Sequence, residues 1–147
     1  MRNALLWTIG LLHLAGGAVM MFAPQAFYDL VPGMNEAGPF NPHFVRDIGA
    51  AFIVVGGGLL WFARDVRARP AALAGAAFLA LHALIHVWDG VAGRERPAHL
   101  LHDLPLLIGI AALALWLAWP RRDPNSVARG NDHVEMAAAA KARRVRT

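Results

Sequence analysis

The chain has 147 residues, of which 57% are hydrophobic and 16% charged, and its mean hydropathy is +0.42. Soluble domains carry about 25% charged residues, so this balance favours a bilayer protein with room for one domain. The formal net charge of +4 belongs to residues 121–147, because seven arginines and seven acids cancel within residues 1–120. Basic residues confined to a tail argue against nucleic-acid binding, and the lack of cysteine excludes disulfides and thiolate sites.

Four long apolar stretches predict four membrane-spanning helices, over about residues 4–22, 42–63, 70–89 and 98–119. The first run has 19 residues. Because the apolar part of a signal peptide has about 7–15 residues, we expect this span to be retained. The predicted fold class is therefore all-α, a four-transmembrane-helix antiparallel bundle over residues 1–120 that is followed by a polar, basic cytoplasmic tail over 121–147.

Prolines mark the expected helix ends. Asn41 followed by Pro42 is typical of an N-cap and first helical residue, so the second span should begin there. Pro24 and Pro120 should end the first and fourth spans, and Pro105 predicts a kink within the fourth. Between the first two spans, PQAFYDLVPG over 24–33 predicts a short amphipathic helix at the membrane surface.

The distribution of lysine and arginine predicts the orientation in the membrane. With the N-terminus inside, eleven of these residues lie on the inner side and three on the outer side. Both termini are therefore predicted to be cytoplasmic, and the tail is expected either to be solvated or to contact anionic lipid. Four tryptophans fall at the same inner side, namely Trp7, Trp61, Trp116 and Trp119.

Ionisable residues gather at the outer ends of three predicted spans. They share one helix face within each of the segments HFVRD, HALIHVWDG and HLLHD. Because ionisable groups are costly inside a membrane, such a layer is a candidate functional site. Its members are His43, Arg46, Asp47, His82, His86, Asp89, His99, His102 and Asp103.

Several interpretations of this layer remain open. It is a hydrogen-bonded polar cap if Arg46 pairs with Asp89 or Asp103 and the histidines bond to carbonyls, headgroups or water. It is a zinc, iron or copper site if imidazoles spaced four residues apart share one ion with carboxylates. Haem binding, with His82 or His86 opposite His102, is less favoured, because haem ligands usually lie in a deeper apolar pocket. A proton or small-solute site is the remaining alternative.

His13 stands apart from the layer, near the middle of the first span. It is followed by LAGGA, whose small residues let another helix approach. We expect its ring to bond to a carbonyl within the bundle. The glycines at 16–17, 56–58 and 75 are expected to pack either within one bundle or between protomers.

Several motifs resemble those of DoxX-like proteins, a class of small four-helix bacterial membrane proteins. They are FYDLVPG (27–33), NPHFVRDIGAAF (41–52), HALIHVWDG (82–90) and DLP (103–105). The resemblance implies a four-span protein of the bacterial cytoplasmic membrane. The class is named after a quinone-reducing, thiosulfate-oxidising subunit, so it also implies a redox accessory role.

The functional hypothesis is an outward-facing site that binds a metal ion or small ligand. Its candidate ligands are His82, His86, His102, Asp89 and Asp103, with His43, Arg46, Asp47 and His99 in support. The competing hypothesis is a non-catalytic structural subunit whose polar residues only cap the bundle. In either case the expected partners are the lipid bilayer and a membrane subunit or a second copy of the chain.

Overall fold

The computed structural model describes residues 1–32, 34, 38–94 and 97–120, with the backbone alone for 97–104, and the predicted tail lies outside this part. The described part is all-α, which confirms that part of the predicted fold class. Three helical segments of the described part are long and apolar enough to cross a membrane, namely Arg2–Phe22, Pro42–Arg64 and Val66–Val91, the last of which begins with a short 3-10 turn. A shorter apolar helical stretch covers Pro105–Ala118. The elements are α1 (Arg2–Phe22), α2 (Pro24–Leu30), α3 (Pro42–Arg64), a 3-10 turn (Val66–Ala68), α4 (Arg69–Val91) and α5 (Pro97–Ala118).

Local sequence accounts for the helix ends. The Asn41 side chain accepts hydrogen bonds from the backbone N–H groups of His43 and Phe44, at 3.0 and 3.2 Å, so the predicted N-cap of α3 is confirmed. Ala23 leaves the helical conformation before Pro24, which ends α1 and opens α2. The short helix expected after the first span is thus present as α2.

Each long helix contacts the next one along the chain, and the last contacts the first. α1 lies mainly against α3, α3 against α4, and α4 against α5. α5 also contacts α1, and α2 contacts both α1 and α3. Backbone contacts show that α1 and α3 run in opposite directions, because Gly10 meets Gly56 and Gly17 meets Gly49. α3 and α4 are likewise antiparallel, since Gly58 lies beside Ala71 and Phe52 beside His82.

Four glycines allow the backbones of α1 and α3 to touch. A Cβ atom at Gly17 would lie 2.6 Å from the Gly49 carbonyl oxygen, and one at Gly56 would lie 2.6 Å from that of Gly10. We call these four residues the glycine seam. At Gly17, Gly49 and Gly56 an added Cβ atom would lie less than 3.0 Å from backbone atoms of the facing helix, so a side chain fits there only if a helix moves. The seam therefore fixes the separation of α1 and α3.

The other glycines named in the sequence analysis divide into two groups. Gly58 and Gly75 lie against α4 and α3 respectively, whereas a Cβ atom at Gly16 or Gly57 would meet nothing within 4 Å. The glycines at 17, 56, 58 and 75 therefore serve packing within one bundle.

The interior is narrow, and many large apolar side chains face outward. Leu59 and Leu117 are fully buried, and so are the small side chains of Ala72, Ala76 and Ala114 between the helices. Around the bundle, side chains such as Leu12, Leu81 and Leu84 are more than half exposed. An exposed apolar surface of this kind is what a bilayer would cover.

The antiparallel packing separates two ends of different chemistry. The basic end comprises the start of α1, the end of α3, the 3-10 turn and the start of α4, with Arg2, Arg64, Arg67 and Arg69 respectively. The histidine end holds the C-terminus of α1, the N-terminus of α3 and the C-terminal half of α4.

Candidate functional site

A row of three rings follows one face of α4 toward the histidine end. Phe78, His82 and His86 are each four residues apart, so successive rings lie one above the other. The planes of Phe78 and His82 are within 9° of parallel, with ring centroids 5.9 Å apart. The rings of His82 and His86 are nearly perpendicular at 81°, with centroids 4.9 Å apart. The two histidines predicted to act together are therefore adjacent.

Phe52 of α3 connects this row to α1. Its ring meets those of Phe78 and His82 edge-on, at 6.3 and 6.0 Å between centroids. On its other side the His13 ring lies 5.2 Å away. We call His13, Phe52, Phe78, His82 and His86 the ring cluster. It holds His82 in place from two directions, because Phe78 comes from its own helix and Phe52 from the neighbouring one.

His13 is buried and bonded within its own helix. It is 8% exposed, and its Nδ1 lies 2.8 Å from the Ile9 carbonyl oxygen. Because a carbonyl oxygen only accepts, Nδ1 donates this hydrogen bond. This confirms the predicted carbonyl bond. Phe52 stands between His13 and His82 and carries no titratable proton, so these rings form a packing contact across the bundle.

The polar residues that open α3 have contacts of their own. His43 and Asp47 form an exposed pair, with Nε2 and Oδ2 3.6 Å apart and side chains 87% and 62% exposed. Arg46 donates from Nε to the Met21 carbonyl oxygen at 3.2 Å, which ties the start of α3 to the end of α1. Arg46 was expected to pair with Asp89 or Asp103. The structure shows it bonded to a backbone oxygen left open at a helix C-terminus, and the side chain of Asp103 lies outside the described part.

Asp89 belongs to the C-terminal cap of α4. Gly93 adopts a positive φ of 69°, and the backbone N–H groups of Gly93 and Arg94 donate to the carbonyls of Gly90 and Asp89. This pattern is a Schellman motif. It brings Arg94 back over the helix end, where Nη1 donates to Asp89 Oδ1 at 2.9 Å. Asp89 is therefore paired with Arg94, a partner that the sequence analysis did not consider.

The third part of the predicted layer lies on α5. His99, His102 and Asp103 are in its first two turns, and their side chains lie outside the described part of the chain. Among the side chains that the structure describes, no three His, Asp or Glu residues lie close enough to hold a metal ion. Within the described part, the candidate site is therefore the pair of imidazoles of His82 and His86. α5 packs beside α4, the helix that carries both of them.

Sequence reasoning missed the two phenylalanines of the ring cluster. Phe78 carried a usable signal, because it lies four residues before His82 on the same helical face. Phe52 carried none, since its position depends on how α3 is rotated against α4. The arginine–aromatic contacts at the basic end were also missed.

These features define a small all-α protein with three candidate membrane spans and a histidine pair at one end. No protein-family profile matches the chain, and neither the curated proteins nor the solved structures contain a significant match to it.

Proposed function

We propose that this is a four-span protein of the bacterial cytoplasmic membrane that binds a transition-metal ion, of the zinc, copper or iron type, through His82 and His86. The observation that carries the proposal is the geometry of the pair. Metal–nitrogen bonds are about 2.0–2.1 Å, which puts imidazole centroids about 5 Å apart when two rings share a tetrahedral ion. The observed separation of 4.9 Å fits that requirement.

The surroundings of the pair support the same proposal. Phe52 and Phe78 fix the His82 ring, and a ligand held in place loses less conformational entropy on binding. The remaining ligands would come from His102 or Asp103 on α5, the helix that packs beside α4. Asp89 is the alternative ligand on α4 itself, and it would first have to leave Arg94.

The DoxX-like motifs, the arginine-rich basic end and the four apolar helices support the rest of the proposal. The basic end would face the cytoplasm and the histidine pair the outer side, because positive residues favour the inner face. A metal at this position would suit a redox accessory subunit, which is the role that the resemblance implies.

A second candidate is a non-catalytic subunit in which the ring cluster is only packing. Two observations favour it: His82 stacks on Phe78, and the described carboxylates Asp47 and Asp89 pair with His43 and Arg94. In this case the partner would be another membrane subunit or a second copy of the chain.

The deciding experiment measures metal bound to the detergent-purified protein after loading with Zn²⁺ or Cu²⁺ and gel filtration. We expect about one equivalent in the unmodified protein and at least a roughly tenfold weaker affinity in His86→Ala. His43→Ala is the matched control, because it removes a histidine from the same end whose side chain is 87% exposed. Asp103→Asn tests the ligand from α5.

If His86→Ala and His43→Ala lost equal amounts of bound metal, the proposal would be contradicted, since surface histidines would then account for the binding. An unmodified protein that retains no Zn²⁺ or Cu²⁺ and is colourless would favour the non-catalytic subunit.

A further inference from the structure

The basic end contains a recess with a charged rim and an apolar wall. Its volume is about 520 Å³ and it is open to the outside. The first turns of α1 form one side and the end of α3 forms the other. Its lining includes Arg2, Phe62, Ala63, Arg64, Asp65 and Val66.

Aromatic rings hold the guanidinium groups at this end. Arg64 Cζ lies 4.5 Å from the centroid of the Trp7 ring. Arg2 and Arg69 both lie over Phe62, with Cζ atoms 5.4 and 5.7 Å from its centroid. Because these contacts already restrict long side chains, less conformational entropy is lost when the guanidiniums meet an anion.

A carbonyl oxygen of α5 also anchors Arg2. Its Nη2 donates to the Leu117 carbonyl oxygen at 2.7 Å. This bond and the contact with Phe62 hold the Arg2 guanidinium at the edge of the recess.

The described residues around the recess carry more positive than negative charge. In this part of the chain the basic end has four arginines, and the acid among the lining residues is Asp65, whose Oδ1 accepts a hydrogen bond from the Arg67 backbone N–H at 2.9 Å. Arginine is well suited to phosphate, since its planar donors match two phosphate oxygens at once.

The position of the recess favours the phosphate of a lipid over free phosphate. It lies at the ends of helices that are long and apolar enough to cross a bilayer, which is the depth of lipid headgroups. Trp61 and Trp119 are 59% and 63% exposed near the same end, as is typical of a membrane–water interface. The apolar wall suits the glycerol and first acyl carbons of a lipid better than a free anion.

We propose that this recess binds an anionic phospholipid, with its phosphate between Arg2 and Arg64 and its apolar part against Phe62, Ala63 and Val66. This inference concerns the opposite end of the bundle from the histidine pair and does not depend on metal binding. General attraction of basic residues to anionic membranes would involve all four arginines of the basic end. The proposed site involves only the residues that line the recess.

The test compares two arginines at the same end. Arg64 lines the recess and Arg67 does not, so Arg64→Gln and Arg67→Gln remove the same charge with different expected results. The full-length protein in mild detergent is mixed with phosphatidylglycerol or phosphatidylcholine, and retained lipid is measured by native mass spectrometry. We expect at least a fivefold preference for phosphatidylglycerol, a loss of most of that preference in Arg64→Gln, and less than a twofold change in Arg67→Gln.

Other outcomes overturn the proposal. Equal effects of the two substitutions would mean diffuse attraction to the basic end. Displacement of phosphatidylglycerol by millimolar inorganic phosphate would mean a site for the free anion. Should Arg64→Gln fail to fold, Arg64→Lys replaces it: a loss of at least twofold in lipid retention supports the recess, and an unchanged retention refutes it.

Discussion

Replacing Gly56 by alanine should destabilise the bundle, whereas the same replacement at Gly57 should not. A Cβ atom at Gly56 would lie 2.6 Å from the Gly10 carbonyl oxygen and 2.7 Å from the Leu14 backbone nitrogen. An ordinary Cβ contact begins at 3.4 Å, so α1 would have to move by about 0.8 Å. Both neighbours are backbone atoms of a helix, so no side chain can rotate out of the way.

The size of the effect follows from two opposing contributions. Inserting a methyl group into close packing costs about 1–3 kcal/mol. Alanine in place of glycine within a helix returns about 0.5–1 kcal/mol. We therefore expect Gly56→Ala to lose about 1 kcal/mol of unfolding free energy and at most about 2.5 kcal/mol, and Gly57→Ala, where a Cβ meets nothing within 4 Å, to lose none or gain up to about 1 kcal/mol.

The assay is unfolding in detergent micelles, by heat or by SDS titration, with both variants measured beside the unmodified protein. Because the two glycines are neighbours in one helix, their difference isolates the contact with α1. Gly17→Ala and Gly16→Ala form a second adjacent pair, on the α1 side, with the same expected order. Equal stabilities within both pairs would refute the glycine seam as the determinant of the α1–α3 distance.

Substitutions at three further residues test the helix ends at the histidine end. Asn41→Ala should lower the unfolding free energy by about 1 kcal/mol because it removes the N-cap of α3, and Asn41→Asp, which keeps an acceptor, should restore it. Gly93→Ala should cost about 1–2 kcal/mol, since the φ of 69° is unfavourable for residues with a Cβ atom. Asp89→Asn should lower the unfolding free energy by less than about 1 kcal/mol, because its partner Arg94 is 64% exposed and water screens the pair, and a larger loss in thermal unfolding would contradict that reasoning.

The helix ends could be predicted from the sequence because their causes are local. Asn41 and the following proline fix the start of α3 through bonds within one turn. The pairing of His82 with His86 was predictable for the same reason, since a spacing of four residues on one helix is enough to bring two rings together.

Contacts between helices could not be predicted in this way. A pattern indicates which face of a helix is polar, but it does not give the rotation of that helix against its neighbours. Phe52 faces His82 and Arg46 reaches Met21 because of the rotation and close approach of α3, which the glycine seam permits. In the described part, the residues of the predicted polar layer therefore form several separate contacts. These are His43 with Asp47, Arg46 with Met21, Asp89 with Arg94, and His82 with His86.

A substitution in the glycine seam also distinguishes the two explanations of the ring cluster, which are metal binding by His82 and His86 and packing alone. Gly56 lies one turn from Phe52 on α3, so the α1–α3 distance that it sets controls the contact between Phe52 and His13. The separation of His82 and His86 is set within α4 alone. A folded Gly56→Ala protein should therefore lose stability and still retain metal, whereas His86→Ala should lose metal with a smaller loss of stability. If metal retention instead fell in proportion to stability in both variants, the bound ion would report on the fold as a whole, and the histidine pair would be packing.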